Sequence, residues 1–178
     1  EQMSTLTICI VGATGKQGRN LASRLAGKPG ISLLLADPDQ NAIKKMYDEL
    51  SGRVGTDGLE IVSCAREGSW RADVIMLDMA SDEVAEWSKH IGEMANQKIL
   101  VYFSNPDVLS AVEYGFHINP ILAWQEMFPY SKRVRVYIGQ LLSVAEGDDE
   151  DALLTVKDIL QTAGFPVSPE YSEEIENE

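Results

Sequence analysis

Apolar residues along this chain fall into short, nearly continuous runs. Leu6 to Val11 (LTICIV), Ile31 to Ala36, Asp73 to Leu77 (DVIML) and Lys98 to Phe103 (KILVYF) are the clearest. Such runs mark strands buried on both faces of a parallel sheet. Glu60 to Cys64, Arg133 to Ile138 and Leu142 to Ala145 read as further strands. Between the runs the apolar period lengthens to that of a helix. Leu21 and Leu25 lie one turn apart within Arg19 to Ala26; Ile43, Met46, Tyr47 and Leu50 follow the i, i+3, i+4, i+7 pattern within Asp39 to Leu50. Ser51 to Gly58 reads as a glycine-rich turn. Ser81 has the character of an N-cap, with Glu83 and Glu86 in the early helix and Val84, Trp87, Ile91 and Met94 as its inner stripe. Asn119-Pro120 opens another helix to about Phe128. Asp148 to Ala163 closes the series, with Leu153, Val156, Leu160 and Ala163 on one face and Gly164 ending it. Strands alternating with helices predict an α/β fold with a doubly wound, mostly parallel sheet.

The first strand runs without a spacer into Gly12-Ala13-Thr14-Gly15-Lys16-Gln17-Gly18, and a helix follows at once. Strand, glycine turn and helix together aim free backbone N–H groups, and the positive end of the helix, at a phosphate. The spacing is Gly-x-x-Gly-x-x-Gly rather than the commoner Gly-x-Gly-x-x-Gly. Its context nevertheless matches a dinucleotide fingerprint, because Asp37 closes the second strand where a ribose-binding carboxylate is expected. A structural βα turn without a ligand is the alternative.

Charge narrows the partners. The 178 residues carry a net charge of −13, which argues against nucleic acid as a partner, since phosphate binding needs a basic face. The acidity is concentrated in Glu146 to Asp151 and in Glu170 to Glu178, both expected to be solvated surface. Residues 1–168 are expected to form one dinucleotide-binding domain and 169–178 an acidic, disordered tail. Cys9 and Cys64 fit reduced, buried core thiols, and no metal-ligand spacing is seen. With no membrane-length apolar run and no leader-like N-terminus, the expectation is a soluble, cytoplasmic protein without a membrane partner.

Ligands of such sheets bind at the carboxyl ends of the strands, at the topological switch point. The candidates there are the turn from Gly12 to Gly18, Asp37, Met79-Ala80-Ser81, and Ser104-Asn105-Pro106. Asp78, a carboxylate ending an apolar strand, is either a catalytic acid or substrate ligand, or a cap for the following turn. His90 reads as plain surface. His117, in a loop with Tyr114, Phe116 and Asn119, is the better histidine for a site. No catalytic triad, Cys-His pair or carboxylate pair stands out, so the catalytic residues stay unassigned.

The turn Gly12 to Arg19, followed by Leu21, Ala22, Arg24 and Leu25, resembles the opening of the deazaflavin-dependent NADP oxidoreductase family. The likeness continues at Asp73-Val74-Ile75, Asn105-Pro106, Phe128-Pro129 to Val136, Gly147-Asp148-Asp149-Glu150 and Gly164-Phe165. The cytosolic reductase domains of membrane metalloreductases are similar as well. The resemblance implies a Rossmann-like NAD(P)-binding domain with a nicotinamide cofactor over the strand ends. Thr14, Lys16 and Gln17 would then lie near the pyrophosphate, and Met79 and Ala80 with Asn105 would border the nicotinamide. Two departures sharpen the expectation. NADP-using members grip the 2′-phosphate with a small hydroxyl residue and arginines, where this chain has Asp37-Pro38-Asp39; NAD is therefore expected over NADP. The family's C-terminal segment is absent or very short after Pro166-Val167, so the site for the small-molecule substrate would be open, supplied by a second subunit, or missing; a homodimer is expected, to cover the open crevice at the strand ends. The function expected is hydride transfer between a nicotinamide cofactor and a small-molecule substrate; the alternative is a non-catalytic dinucleotide-binding or redox-sensing module.

Overall fold

The computed structural model describes residues 5–79, 81–103 and 126–168. Seven strands form one sheet in the order β3-β2-β1-β4-β5-β6-β7. They are β1 (Leu6–Val11), β2 (Ile31–Ala36), β3 (Leu59–Ile61), β4 (Val74–Leu77), β5 (Ile99–Phe103), β6 (Lys132–Ile138) and β7 (Ser143–Gly147). All neighbouring pairs are parallel except β6 with β7, which run antiparallel. The described helices are α1 (Lys16–Leu25), α2 (Gln40–Val54), α3 (Ala65–Arg71), α4 (Ser81–Ile91) and α5 (Glu150–Thr162).

Alternation along β1 shows why the sheet is covered on both sides. Ile8 and Ile10 enter one apolar layer with Leu21, Ala22 and Leu25 of α1, Ile43, Met46 and Leu50 of α2, and Val156, Ile159 and Leu160 of α5. Cys9 and Val11 enter the other, with Ile75, Leu77, Leu100, Ala72, Ile91 and Phe128. Successive strand side chains point to opposite faces, so a strand buried on both sides must be apolar throughout. The fold is therefore a doubly wound, Rossmann-like domain.

Several sequence expectations need correction. Cys64 is exposed rather than buried, and it lies past β3, at the start of α3. α3 has no counterpart in the apolar pattern of the sequence. Its Gly68 lies tight against the sheet, where an added Cβ would meet Cys9 Sγ at 2.7 Å. Cys9 is the core thiol expected, and burial pushes its pKa up to about 12. α2 continues to Val54, through what reads as a glycine turn, and Gly55 ends it at φ +87°. In α5 the buried face is Ala152, Val156, Ile159 and Leu160, with Leu153 only half-buried. The acidic run before α5 is more than solvated surface. Glu146 pairs with Arg135 across β6 and β7, and the Asp149 side chain accepts from Ala152 N at 2.8 Å.

On the α3 face, Lys98 Nζ donates to three carbonyl oxygens: Ser69 O at 2.7 Å, Ala72 O at 2.6 Å, and Trp70 O. This ties the end of α3 to the start of β5. Among the described residues, no helix is long and apolar enough to cross a membrane.

Candidate functional site

The strand order reverses between β1 and β4, which are paired from Ile8–Val74 to Val11–Leu77. Connections leave these two strands in opposite directions, and the crevice at their carboxyl ends is the switch point. The glycine turn lies there. Gly12 turns the chain at φ +76°, a conformation that costs any residue bearing a Cβ. Gly12 N and Ala13 N both donate to Ala36 O, at 2.9 and 3.1 Å, which fastens the turn to the end of β2. The Ala13 side chain is fully buried in the α1-side core. Gly18 lets α1 approach β1, since a Cβ there would meet Gly12 O at 2.6 Å.

Two carboxylates hold this turn from either side. Asp37 Oδ2 accepts from both Thr14 N (2.9 Å) and Thr14 Oγ1 (2.6 Å), and Oδ1 accepts from Asp39 N at 2.9 Å. A carboxylate offers about four lone-pair positions. Three are used here, which leaves one on Oδ1 for a ribose hydroxyl. Asp39 in turn caps α2, accepting from Ala42 N at 3.0 Å.

Asp78 occupies the other side. Its Oδ2 accepts from Gln17 N and Gly18 N, both at 2.9 Å. These are two of the N–H groups that the start of α1 leaves without intrahelical partners, and a negative charge there also interacts favourably with the helix dipole. Gly15, the N-cap residue, has no side chain to supply such a bond. Its missing Cβ is what makes room, because a Cβ at Gly15 would collide with the Asp78 carboxylate and lie 3.0 Å from Gly12 O. Asp78 thus caps the start of α1, whereas its position in the sequence suggested a cap for the following turn. The clue was present in the sequence: a charged residue ends an apolar strand at the open edge of the crevice.

The remaining predicted residues are distributed less evenly. Lys16 is exposed, and Gln17 contributes its backbone N–H. Met79 is half-buried and packs against the α3-side core. His90 is on the surface, 3.8 Å from Glu86. Ala80, Ser104, Asn105, Pro106, Tyr114, Phe116, His117 and Asn119 lie outside the described residues, as do the side chains of Ser81 and Val84 and the tail from 169. Among the described residues, no group of three or more His, Cys, Asp or Glu could hold a metal ion.

No family model and no curated protein sequence matches this chain. Solved structures do resemble it. One is a candidate F420-dependent NADP-reductase from Arthrobacter sp. FB24, with TM-score 0.68 and 19% identity over 91% of this chain and 83% of that one. Another is pyrroline carboxylate reductase from Plasmodium falciparum, solved with NADP bound, with TM-score 0.67 and 16% identity over 98% of this chain. This chain spans only 61% of that reductase. The N-terminal domain of HmdIII from Methanocaldococcus jannaschii has TM-score 0.59 and 16% identity, over 92% of this chain and 99% of that one. At these identities the likeness establishes the Rossmann-like fold.

Proposed function

We propose that this chain is an oxidoreductase domain that binds a nicotinamide dinucleotide over the carboxyl ends of β1 and β4. One observation carries the reading: the amide pair Gln17 N and Gly18 N, at the switch point, already holds an oxyanion. The pair is therefore a working anion receptor of the kind a cofactor pyrophosphate uses. In this assignment the turn Gly12 to Gly18 receives the pyrophosphate and Asp37 Oδ1 accepts the ribose 2′-hydroxyl. Met79, Ala80, Asn105 and Pro106 border the nicotinamide. When bound, the cofactor supplies the hydride chemistry; the chain's own residues orient it and exclude water.

NAD is the preferred form in this reading. Thr14 holds the Asp37 carboxylate, which in this assignment faces the ribose 2′ position, and Asp39 stands two residues on. Among the described residues no lysine or arginine pairs with either carboxylate. Placing a phosphate against a carboxylate costs on the order of 1–4 kcal/mol between the bulk-water and near-surface limits. Calorimetric titration of the cofactor-stripped protein with NADH and NADPH should give the tighter constant for NADH, and Asp37→Ser should narrow the gap. Tighter binding of NADPH by the unaltered protein would reverse the assignment. The alternative is a dinucleotide-binding module without turnover. Turnover of NADH with an artificial electron acceptor separates the two.

A further inference from the structure

We infer that Asp78 is an internal competitor for the cofactor phosphate, and that it sets the affinity of the site by occupying the amide pair that the pyrophosphate needs. The inference rests on the dinucleotide reading above and adds a residue to it.

Three observations lead there. First, each backbone N–H is one donor, and both donors at the start of α1 point at a single oxygen, Asp78 Oδ2, at 2.9 Å. A phosphate oxygen and the carboxylate cannot both take them. Second, the space that a glycine at this point of the fingerprint leaves for close approach of a pyrophosphate is filled, at Gly15, by the Asp78 carboxylate. Third, where a side chain caps the start of α2 or α5, the cap is local. Asp39 and Asp149 each accept from an N–H three residues on, within their own helix start. α1 is closed instead by a residue 61 positions away from Gln17, projecting from the strand end that forms the far wall of the crevice. The charge, the amides and the position are those of a ligand phosphate, supplied by the chain itself.

Cofactor binding then requires the Asp78 side chain to leave the amide pair. The apparent affinity is lowered by the fraction of molecules in which it has already left. A seated fraction of about 90–99% weakens binding roughly tenfold to a hundredfold. Once displaced, the carboxylate still lies beside the pyrophosphate and repels it.

The test compares the unaltered protein with Asp78→Ala and Asp78→Asn. Asn keeps the size and one acceptor oxygen but loses the charge, so it covers the case in which the alanine variant does not fold. NADH, ADP-ribose, inorganic pyrophosphate and adenosine are titrated calorimetrically into each, and circular dichroism checks folding. The expected result is about tenfold to a hundredfold tighter binding of NADH, ADP-ribose and pyrophosphate by the variants, with adenosine unchanged. Equal NADH affinity in all three proteins would overturn the role of Asp78 and leave the dinucleotide reading standing. Folded variants that bind none of the phosphate-bearing probes would overturn both.

Discussion

Helices α1 and α5 begin in opposite ways. α5 starts at Asp149, whose side chain accepts from Ala152 N within the same turn. α1 starts at Gly15, which has nothing to offer, and its N–H groups are met by Asp78 from another strand. α2 follows the α5 pattern through Asp39, whereas α3 begins at Cys64 with no side-chain cap. A local cap depends only on its own helix turn. A distant one closes it only while two strand ends stay together, and a ligand that binds between those ends can replace it. In the dinucleotide reading, the difference separates a helix start that serves the fold from one that serves a site.

The most damaging way to break the contrast is Gly12→Ala. The residue would have to keep φ near +76° with its Cβ driven into the Asp78 carbonyl, which would force the turn away from β4. A loss of about 3 kcal/mol is expected in urea unfolding, from left-handed strain and overpacking together. Removing the two caps sharpens the contrast at a smaller scale. Asp149→Ala should cost about 1 kcal/mol and Asp78→Ala about 1–2 kcal/mol, because the latter withdraws charge from two amides at once. Added pyrophosphate should recover the melting temperature of Asp78→Ala and leave that of Asp149→Ala where it is. The mildest change supplies a cap where none exists. Cys64 has extended backbone angles suited to an N-cap, so Cys64→Asp should stabilise the protein by about 0.5 kcal/mol in the same assay.

The same distinction between local and distant determines what could be read from the chain. β1, β2, β4 and β5 were legible because burial on both faces demands unbroken apolar runs, and the turn because its glycines fall at a strand–helix junction. α3 was not legible. Gly68 and Ser69 occupy its buried face, so the short helix presents no apolar stripe, only small residues admitted by Cys9 and Val62. The antiparallel sense of β7 is set by its pairing with β6, and nothing in residues 142–145 encodes a direction. Asp37 could be placed by its spacing, but its use by Thr14 could not. For Asp78 the sequence showed a misplaced charge and no partner, because the partners are amides 60 and 61 residues away whose identity no side chain reports.

Lys98 illustrates how far a residue's chemistry can be exhausted by its surroundings. An ammonium group has three N–H bonds, and here three carbonyls converge on it, from Ser69, Trp70 and Ala72. The flat fork of an arginine cannot aim three donors at so compact a target. Acetylation of this amine would therefore differ from acetylation of any lysine that merely carries surface charge. It would leave one N–H for three acceptors and release the end of α3 from β5, so that an acyl group would act here as a break in the architecture.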